Sequence, residues 1–261
     1  MQAQALIKEG KLAEALAALQ GQVRSEASNA RHRIFLFQLL AVMGQWGRAL
    51  TQLNVAGELD ATALAMVQTY REAIQCEALR AEIFAGKRAP LIFGEPQDWL
   101  GLLVEALRIE TADPAGAAAL REQAYEAAPT TSGSIDGAAF AWLMDADRRL
   151  GPVLEAVVNG RYFWIPFSRI AKIEIDAPSD LRDTVWTAAT FTWANGAQAV
   201  GLIPTRYDGS AESPDDAVRL ARRTEWEGER GLGQRMFASD SADYALMDVR
   251  AIAFDAAESH G

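Results

Sequence analysis

The sequence predicts an α+β protein, with a TPR-like α-helical stack over residues 1–130 packed on a smaller, mostly antiparallel β-rich region over residues 131–261. Three observations carry this. Apolar residues recur at the helical period through the first half, with one turn pattern repeated 34 positions later. From Tyr162 onward the pattern becomes alternating and aromatic. Between them, Ala128-Pro-Thr-Thr-Ser-Gly-Ser-Ile-Asp-Gly137 is rich in Gly, Ser, Thr and Pro.

Residues 1–19 place Leu6, Leu12, Leu16 and Leu19 on a helical face, broken by a turn at Gly10-Lys11. A second helical run, Ile34 to Met43, ends at Gly44. Gly10-Lys-Leu-Ala-Glu-Ala-Leu-Ala-Ala-Leu aligns with Gly44-Gln-Trp-Gly-Arg-Ala-Leu-Thr-Gln-Leu, an offset of 34 residues and the period of a tetratricopeptide (TPR) repeat. In such a unit Leu12 or Trp46 fills the groove after the turn, and Ala15 or Ala49 lets paired helices approach. Two repeats are fewer than the roughly three a stable stack needs, so the helix from Ala61 to Ala85 is expected to serve as a third unit or cap. Gly86 is its C′ stop and Pro90 prevents its resumption. Residues 91–99 read as a turn, followed by helices at 100–108 and 114–127.

In the second half, Tyr162–Phe167 is an aromatic strand whose Pro166 requires an edge or end position. Ala171-Lys-Ile-Glu-Ile-Asp176 alternates strictly. Val185–Trp193 is β-branched and aromatic, and Asn195-Gly196 turns it into a partner at Ala199–Ile203. A late strand is expected at Tyr244–Phe254. The sum is three to five short strands with one inserted helix, read from Ser213 as N-cap, Pro214 at N1, Asp215 and Asp216 in the first turn, then Ala217–Arg223.

Composition excludes several functions. The net charge is −10 and evenly spread: residues 1–150 hold 14 basic against 18 acidic residues, and residues 151–261 hold 11 against 17. Neither half is the basic module that nucleic acid demands. One cysteine, Cys76, cannot form an internal disulfide, and His32 and His260 cannot supply a multi-histidine metal site. Without a signal peptide or an apolar run of the ~18 residues that span a bilayer, the expected location is the cytoplasm, with no membrane partner.

No chemical motif stands out. Cys76 lies in a helical run without a nearby base and is expected to be a small core thiol. His32 is expected to cap or line a helix, and His260, beside the C-terminus, to be disordered. Asp145, Asp147 and Glu155 are the residues a general acid–base or hard-cation site would use, but Trp142–Gly151 reads as a helix whose acids pair with Arg148 and Arg149. Gly228-Glu-Arg-Gly-Leu-Gly233 lacks both the dinucleotide spacing and the Lys-Ser/Thr of a P-loop. Tyr162, Phe163, Trp164, Phe167, Trp186, Phe191, Trp193 and Trp226 lack the interleaved cations of a base-stacking surface and are expected mostly in the core. Catalytic, metal and cofactor residues are therefore none.

Several ordered blocks nevertheless resemble one family. They are Phe84-Ala-Gly-Lys-Arg-Ala-Pro90, Gly94-Glu-Pro-Gln-Asp-Trp99, Asp145-Ala-Asp-Arg-Arg-Leu-Gly-Pro-Val-Leu-Glu155, Asn159-Gly-Arg-Tyr-Phe-Trp-Ile-Pro-Phe167, Asp180-Leu-Arg-Asp-Thr-Val-Trp186, Gly201-Leu-Ile-Pro-Thr-Arg-Tyr207, Arg223-Thr-Glu-Trp226 and Gly231-Leu-Gly-Gln-Arg235. Together they resemble the ImpE/TagJ family of type VI secretion accessory proteins. The resemblance implies a cytoplasmic, non-enzymatic adaptor that engages the N-terminal helix of the small contractile-sheath subunit, TssB, and is thereby connected to sheath recycling by the ClpV ATPase. It carries no catalytic motif. The partner surface is left open between a groove of the helical stack and a sheet edge at Tyr162–Phe167 or Val200–Ile203. A generic TPR adaptor with another client and an uncharacterised enzyme are the rival readings. The acidic balance itself favours a client segment with Lys or Arg beside its apolar stripe.

Overall fold

Helices come first in the computed structural model, which describes residues 2–256; His260 lies outside the described residues. They are α1 (Gln2–Lys8), α2 (Leu12–Ser25), α3 (Ala30–Val42), α4 (Trp46–Leu59), α5 (Leu64–Phe84), α6 (Asp98–Ile109) and α7 (Pro114–Ala127). The repeated turns are structurally equivalent. At Gly10 (φ +74°) the Lys11 N–H donates to the Leu6 carbonyl at 2.9 Å, and at Gly44 (φ +66°) the Gln45 N–H donates to Leu40 at 2.9 Å. Gly86 (φ +69°) closes α5 in the same way, with Lys87 donating to Glu82. Each glycine takes the left-handed C′ position of a Schellman stop. Leu12, Ala15 and Ala49 are fully buried, while Trp46 is half-buried.

The strands are β1 (Leu91–Ile92), β2 (Gly133–Ile135), β3 (Ala138–Phe140), β4 (Leu143–Asp145), β5 (Val153–Val158), β6 (Arg161–Pro166), β7 (Ile170–Ile175), β8 (Trp186–Trp193), β9 (Gln198–Pro204), β10 (Thr224–Glu227), β11 (Arg230–Gly233), β12 (Met236–Ser239), β13 (Asp243–Ala245) and β14 (Ala251–Phe254), with a one-turn helix α8 (Asp216–Arg219) after β9. Nine of them form one sheet in the order β1-β6-β5-β9-β8-β7-β14-β2-β3. It is antiparallel throughout except where β1, from the helical half, pairs parallel with β6. The sheet is larger than the three to five strands expected. β5 escapes a period-two reading because it is buried on both faces: Val153 and Val157 join the core under the helices, and Leu154, Ala156 and Val158 join a second core behind the sheet. Glu155 lies on the helix-facing side of that strand.

Three local expectations are corrected. Residues 142–151 are not helical: Leu143–Asp145 is strand β4, and the carboxylates of Asp145 and Asp147 accept the N–H groups of Asp147 and Arg149, each at 2.9 Å. Such side-chain turns compete directly with a helix. The inserted helix runs only from Asp216 to Arg219, and its N-cap is Asp215, which accepts from the Ala217 N–H at 2.7 Å. Ser213 accepts instead from the Asp215 N–H, and Ala221, at φ +53°, ends the turn. The late strand is split by a 3-10 turn at Leu246–Asp248 into β13 and β14.

The C-terminal half caps the helices of the N-terminal half. Asp216 accepts the Leu12 N–H at the start of α2, and Arg222 donates to the carbonyls of Ile7 and Lys8 at the end of α1. Arg206 donates to Ala41 and Val42 at the end of α3. These are the groups that a helix leaves unpaired, met by charges of the sign the helix dipole favours.

Candidate functional site

The most concentrated set of ionisable side chains lies between helices and sheet. Glu155 accepts from the Arg80 Nε at 2.6 Å and from the Tyr162 hydroxyl, and its second oxygen accepts from Arg80 at 3.0 Å and from Arg235. Arg235 also donates to Asp145, which accepts from the Tyr207 hydroxyl at 3.1 Å. Arg80 reaches Glu77, which accepts from the Trp186 indole at 2.8 Å. Asp147 takes the Arg149 guanidinium and the Gly231 N–H. Burial pushes the Asp145 carboxyl up, against the pull of Arg235. Burial acts on Glu155 in the same direction, but the two guanidiniums outweigh it and hold its pKa at about 2.

Glu155, Asp145 and Asp147 are each committed to an arginine, as buried charges must be. A cavity of about 50 Å³ opens beside Glu77, Arg80, Arg206 and Asp208, room for a solvent-sized molecule rather than an organic substrate. Among the described residues no group of three or more His, Cys, Asp or Glu could hold a metal ion. Asp145, Asp147 and Glu155, the acids singled out from the sequence, do lie in one network, but the pairing expected with Arg148 and Arg149 holds only in part. Arg149 does pair with Asp147, whereas Arg148 bonds Glu122 and Glu229 instead. Arg80 and Arg235 were missed, because Glu155 lies 75 residues from Arg80, and Glu155 and Asp145 lie 80 and 90 residues from Arg235.

The remaining single residues fall as follows. Cys76 is a buried free thiol facing the Gly160 carbonyl at 3.6 Å, and burial and the adjacent Glu77 raise its pKa to about 11, so it is a poor nucleophile. His32 sits in the first turn of α3, which Asn29 caps. Gly228–Gly233 forms the turn and second strand of the β10–β11 hairpin, with Gly231 against the Tyr207 ring. Of the eight aromatic residues, Tyr162, Trp164, Phe167, Trp186, Phe191 and Trp193 are buried and Phe163 is partly buried; Trp226 stands exposed on β10. Trp186 joins the halves, its ring 5.9 Å from Trp46 and 5.6 Å from Tyr70.

An apolar groove of about 490 Å³ opens between α5 and the sheet. Met66 and Tyr70 form its helical wall, and Ala188, Val157, Val200 and Leu202 form its sheet wall. It arises from unequal strand pairing. β9 pairs with β8 along nearly its whole length but with β5 only at Gly201 and Leu202, because the chain turns away after Val158 through Asn159 and Gly160. Val200 is left 74% exposed. Glu72 and Asp176 border the groove, together with Arg182, whose guanidinium is engaged by Asp180 at 2.9 Å. Val200 belongs to one of the two strand edges the sequence offered; the contribution of α5 was not visible, since periodicity does not say which helix face meets the sheet.

A helical array keyed by charged caps into a predominantly antiparallel sheet, with a paired ionic core between them and an apolar groove open beside α5, defines an α+β protein. Residues 137–253 match the family model described as ImpE protein, which covers most of the sheet-rich half. The chain is 55% identical over 257 residues to the type VI secretion system accessory component TagJ of Pseudomonas aeruginosa, covering 98% of this chain and 92% of that protein. The crystal structure of protein VPA1032 from Vibrio parahaemolyticus shares the fold, with a TM-score of 0.86 and 23% identity over 98% of both chains. The chain belongs to the ImpE/TagJ family of type VI secretion accessory proteins. No helix among the described residues is long and apolar enough to cross a membrane.

Proposed function

We propose that this chain is a non-catalytic, cytoplasmic adaptor of a bacterial type VI secretion system, which holds the N-terminal helix of the small sheath subunit TssB in the groove between α5 and β9. Through that contact it is linked to sheath assembly or to ClpV-driven recycling. The observation that carries this reading is the groove itself: an apolar sheet wall around Val200 and Leu202, bordered by the carboxylates of Glu72 and Asp176. An amphipathic helix laid into such a groove buries its apolar stripe, and Lys or Arg beside the stripe meets the acidic border. The accessory role of the Pseudomonas aeruginosa relative supports the pathway. The saturated ionic core, with its small cavity, supports a role without catalysis.

The test is co-purification of the full chain with its cognate sheath small subunit, intact and lacking the first helix, alongside Val200→Asp and Glu72→Lys. The complex is expected with intact TssB, lost on removal of the helix, and weakened about tenfold or more by either substitution, equivalent to ~1.4 kcal/mol. A complex indifferent to both substitutions removes the groove from the reading. No complex with intact TssB removes the partner.

A further inference from the structure

A second groove lies on the opposite kind of charge. Between α2, α3 and α4, a volume of about 360 Å³ has Val23, Leu36 and Leu40 at its base and Arg24, Arg33 and Arg48 around it, and no acidic side chain lines it. In a protein of net charge −10 this is a local inversion of sign. Among the described residues, none of the three guanidiniums is paired with a carboxylate. Arg33 donates to the Gln52 side chain at 2.8 Å and to the Ala27 carbonyl at 3.4 Å, and its buried Nε has no partner among the described residues. Arg48 donates to Gln45 alone among the described residues, and both Arg24 and Arg48 are exposed. The contrast with Arg80, Arg149 and Arg235, each matched to a buried carboxylate, is direct.

From this complementarity we infer that the α2–α4 groove is a second docking surface, which takes an acidic amphipathic helix of a protein partner. The occupant's glutamates or aspartates pair with Arg24, Arg33 and Arg48, and its apolar side chains enter over Val23, Leu36 and Leu40. The bounding helices are 13 or 14 residues long, so the face runs for roughly 20 Å, the length of three to four turns of a docked helix. Planar guanidiniums favour carboxylates here because they engage both oxygens at once. The surface is distinct from the α5–β9 groove and selects the opposite charge, so one chain can hold two dissimilar clients together. This inference goes beyond the TssB reading and does not depend on it.

The experiment uses the full-length chain and three helical peptides of about 16 residues, followed by fluorescence anisotropy. One carries leucines at four-residue spacing flanked by glutamates, one replaces the glutamates by lysines, and one replaces the leucines by serines. The Leu/Glu peptide is expected to bind, at least tenfold more tightly than either control, with affinity falling as salt rises. Arg24→Glu combined with Arg48→Glu, at two exposed positions that leave the fold intact by circular dichroism, is expected to weaken it at least tenfold, and Val200→Asp is expected to leave it unchanged. Equal binding of the Ser/Glu peptide or of heparin would reduce the groove to a general polyanion surface and overturn the proposal. So would binding that survives the double charge reversal, or no binding of the Leu/Glu peptide.

Discussion

The carboxylate of Asp216 accepts the backbone N–H of Leu12 at 2.9 Å, across 204 positions of sequence. The first free N–H of α2 is thus capped from the other end of the chain, where Lys11 provides no side-chain cap of its own. Asp216→Ala is expected to remove about 1 kcal/mol of stability, the usual worth of an N-cap, and to lower the melting temperature by roughly 2–4 °C for a chain of this size. Asp216→Asn, which keeps the acceptor, should recover most of the loss. Thermal unfolding of the three proteins checks this. Equal losses for Ala and Asn would assign the effect to charge, through the Arg219 contact at 3.2 Å, rather than to capping.

The two repeated turns allow docking to be separated from backbone strain. Gly10 and Gly44 share left-handed φ values, +74° and +66°, and an alanine is strained at both. A Cβ at Gly10 meets nothing within 4 Å, whereas one at Gly44 falls 2.7 Å from the Cβ of Ala211, in the segment between β9 and α8. Gly10→Ala is expected to cost about 1 kcal/mol, the left-handed penalty alone. Gly44→Ala carries that penalty plus displacement of the 206–222 segment, so its loss is larger and is reduced when Ala211 is replaced by Gly. Denaturant unfolding of the two single variants and of the Gly44→Ala, Ala211→Gly pair measures the difference. Equal losses at the two glycines would mean that the Ala211 contact carries no energy.

The turns were readable because their cause is local: a glycine, a large side chain and a small one at fixed spacing write Gly10-Leu12-Ala15 and Gly44-Trp46-Ala49 into the sequence. The hairpin at Asn195-Gly196 and the alternation through Ile173 and Ile175 were readable for the same reason. What the turns dock against was not, since Asp216, Arg222 and Arg206 act on backbone groups more than 160 residues distant. β5 was hidden because a strand buried on both faces shows no alternation, and its central Glu155 looks solvent-seeking until Arg80 and Arg235 are placed beside it. The groove was half-legible. The Val200 strand is evident, while its open edge follows only from where β5 stops.

Glu155 makes the buried network testable by pH. Its folded pKa, about 2, lies below the ordinary value of 4.5. A depressed carboxyl contributes stability that is fully present above the unfolded value and is lost as pH falls through the folded one, so this contribution disappears between about pH 4.5 and pH 2. From the width of that window it is on the order of 3 kcal/mol. Glu155→Gln keeps the shape, leaves Arg80 and Arg235 without that charge, and is expected to lose about 3–5 kcal/mol at neutral pH, as when one partner of a buried pair is removed. Because the variant has already lost the titrating group, its stability should fall less steeply below pH 4.5, and the two curves should converge toward pH 2. Urea unfolding at half-unit pH steps from 7 to 2 tests both the offset and the convergence. A constant offset over the whole range would assign the effect of Glu155 to packing and hydrogen bonding rather than to its charge.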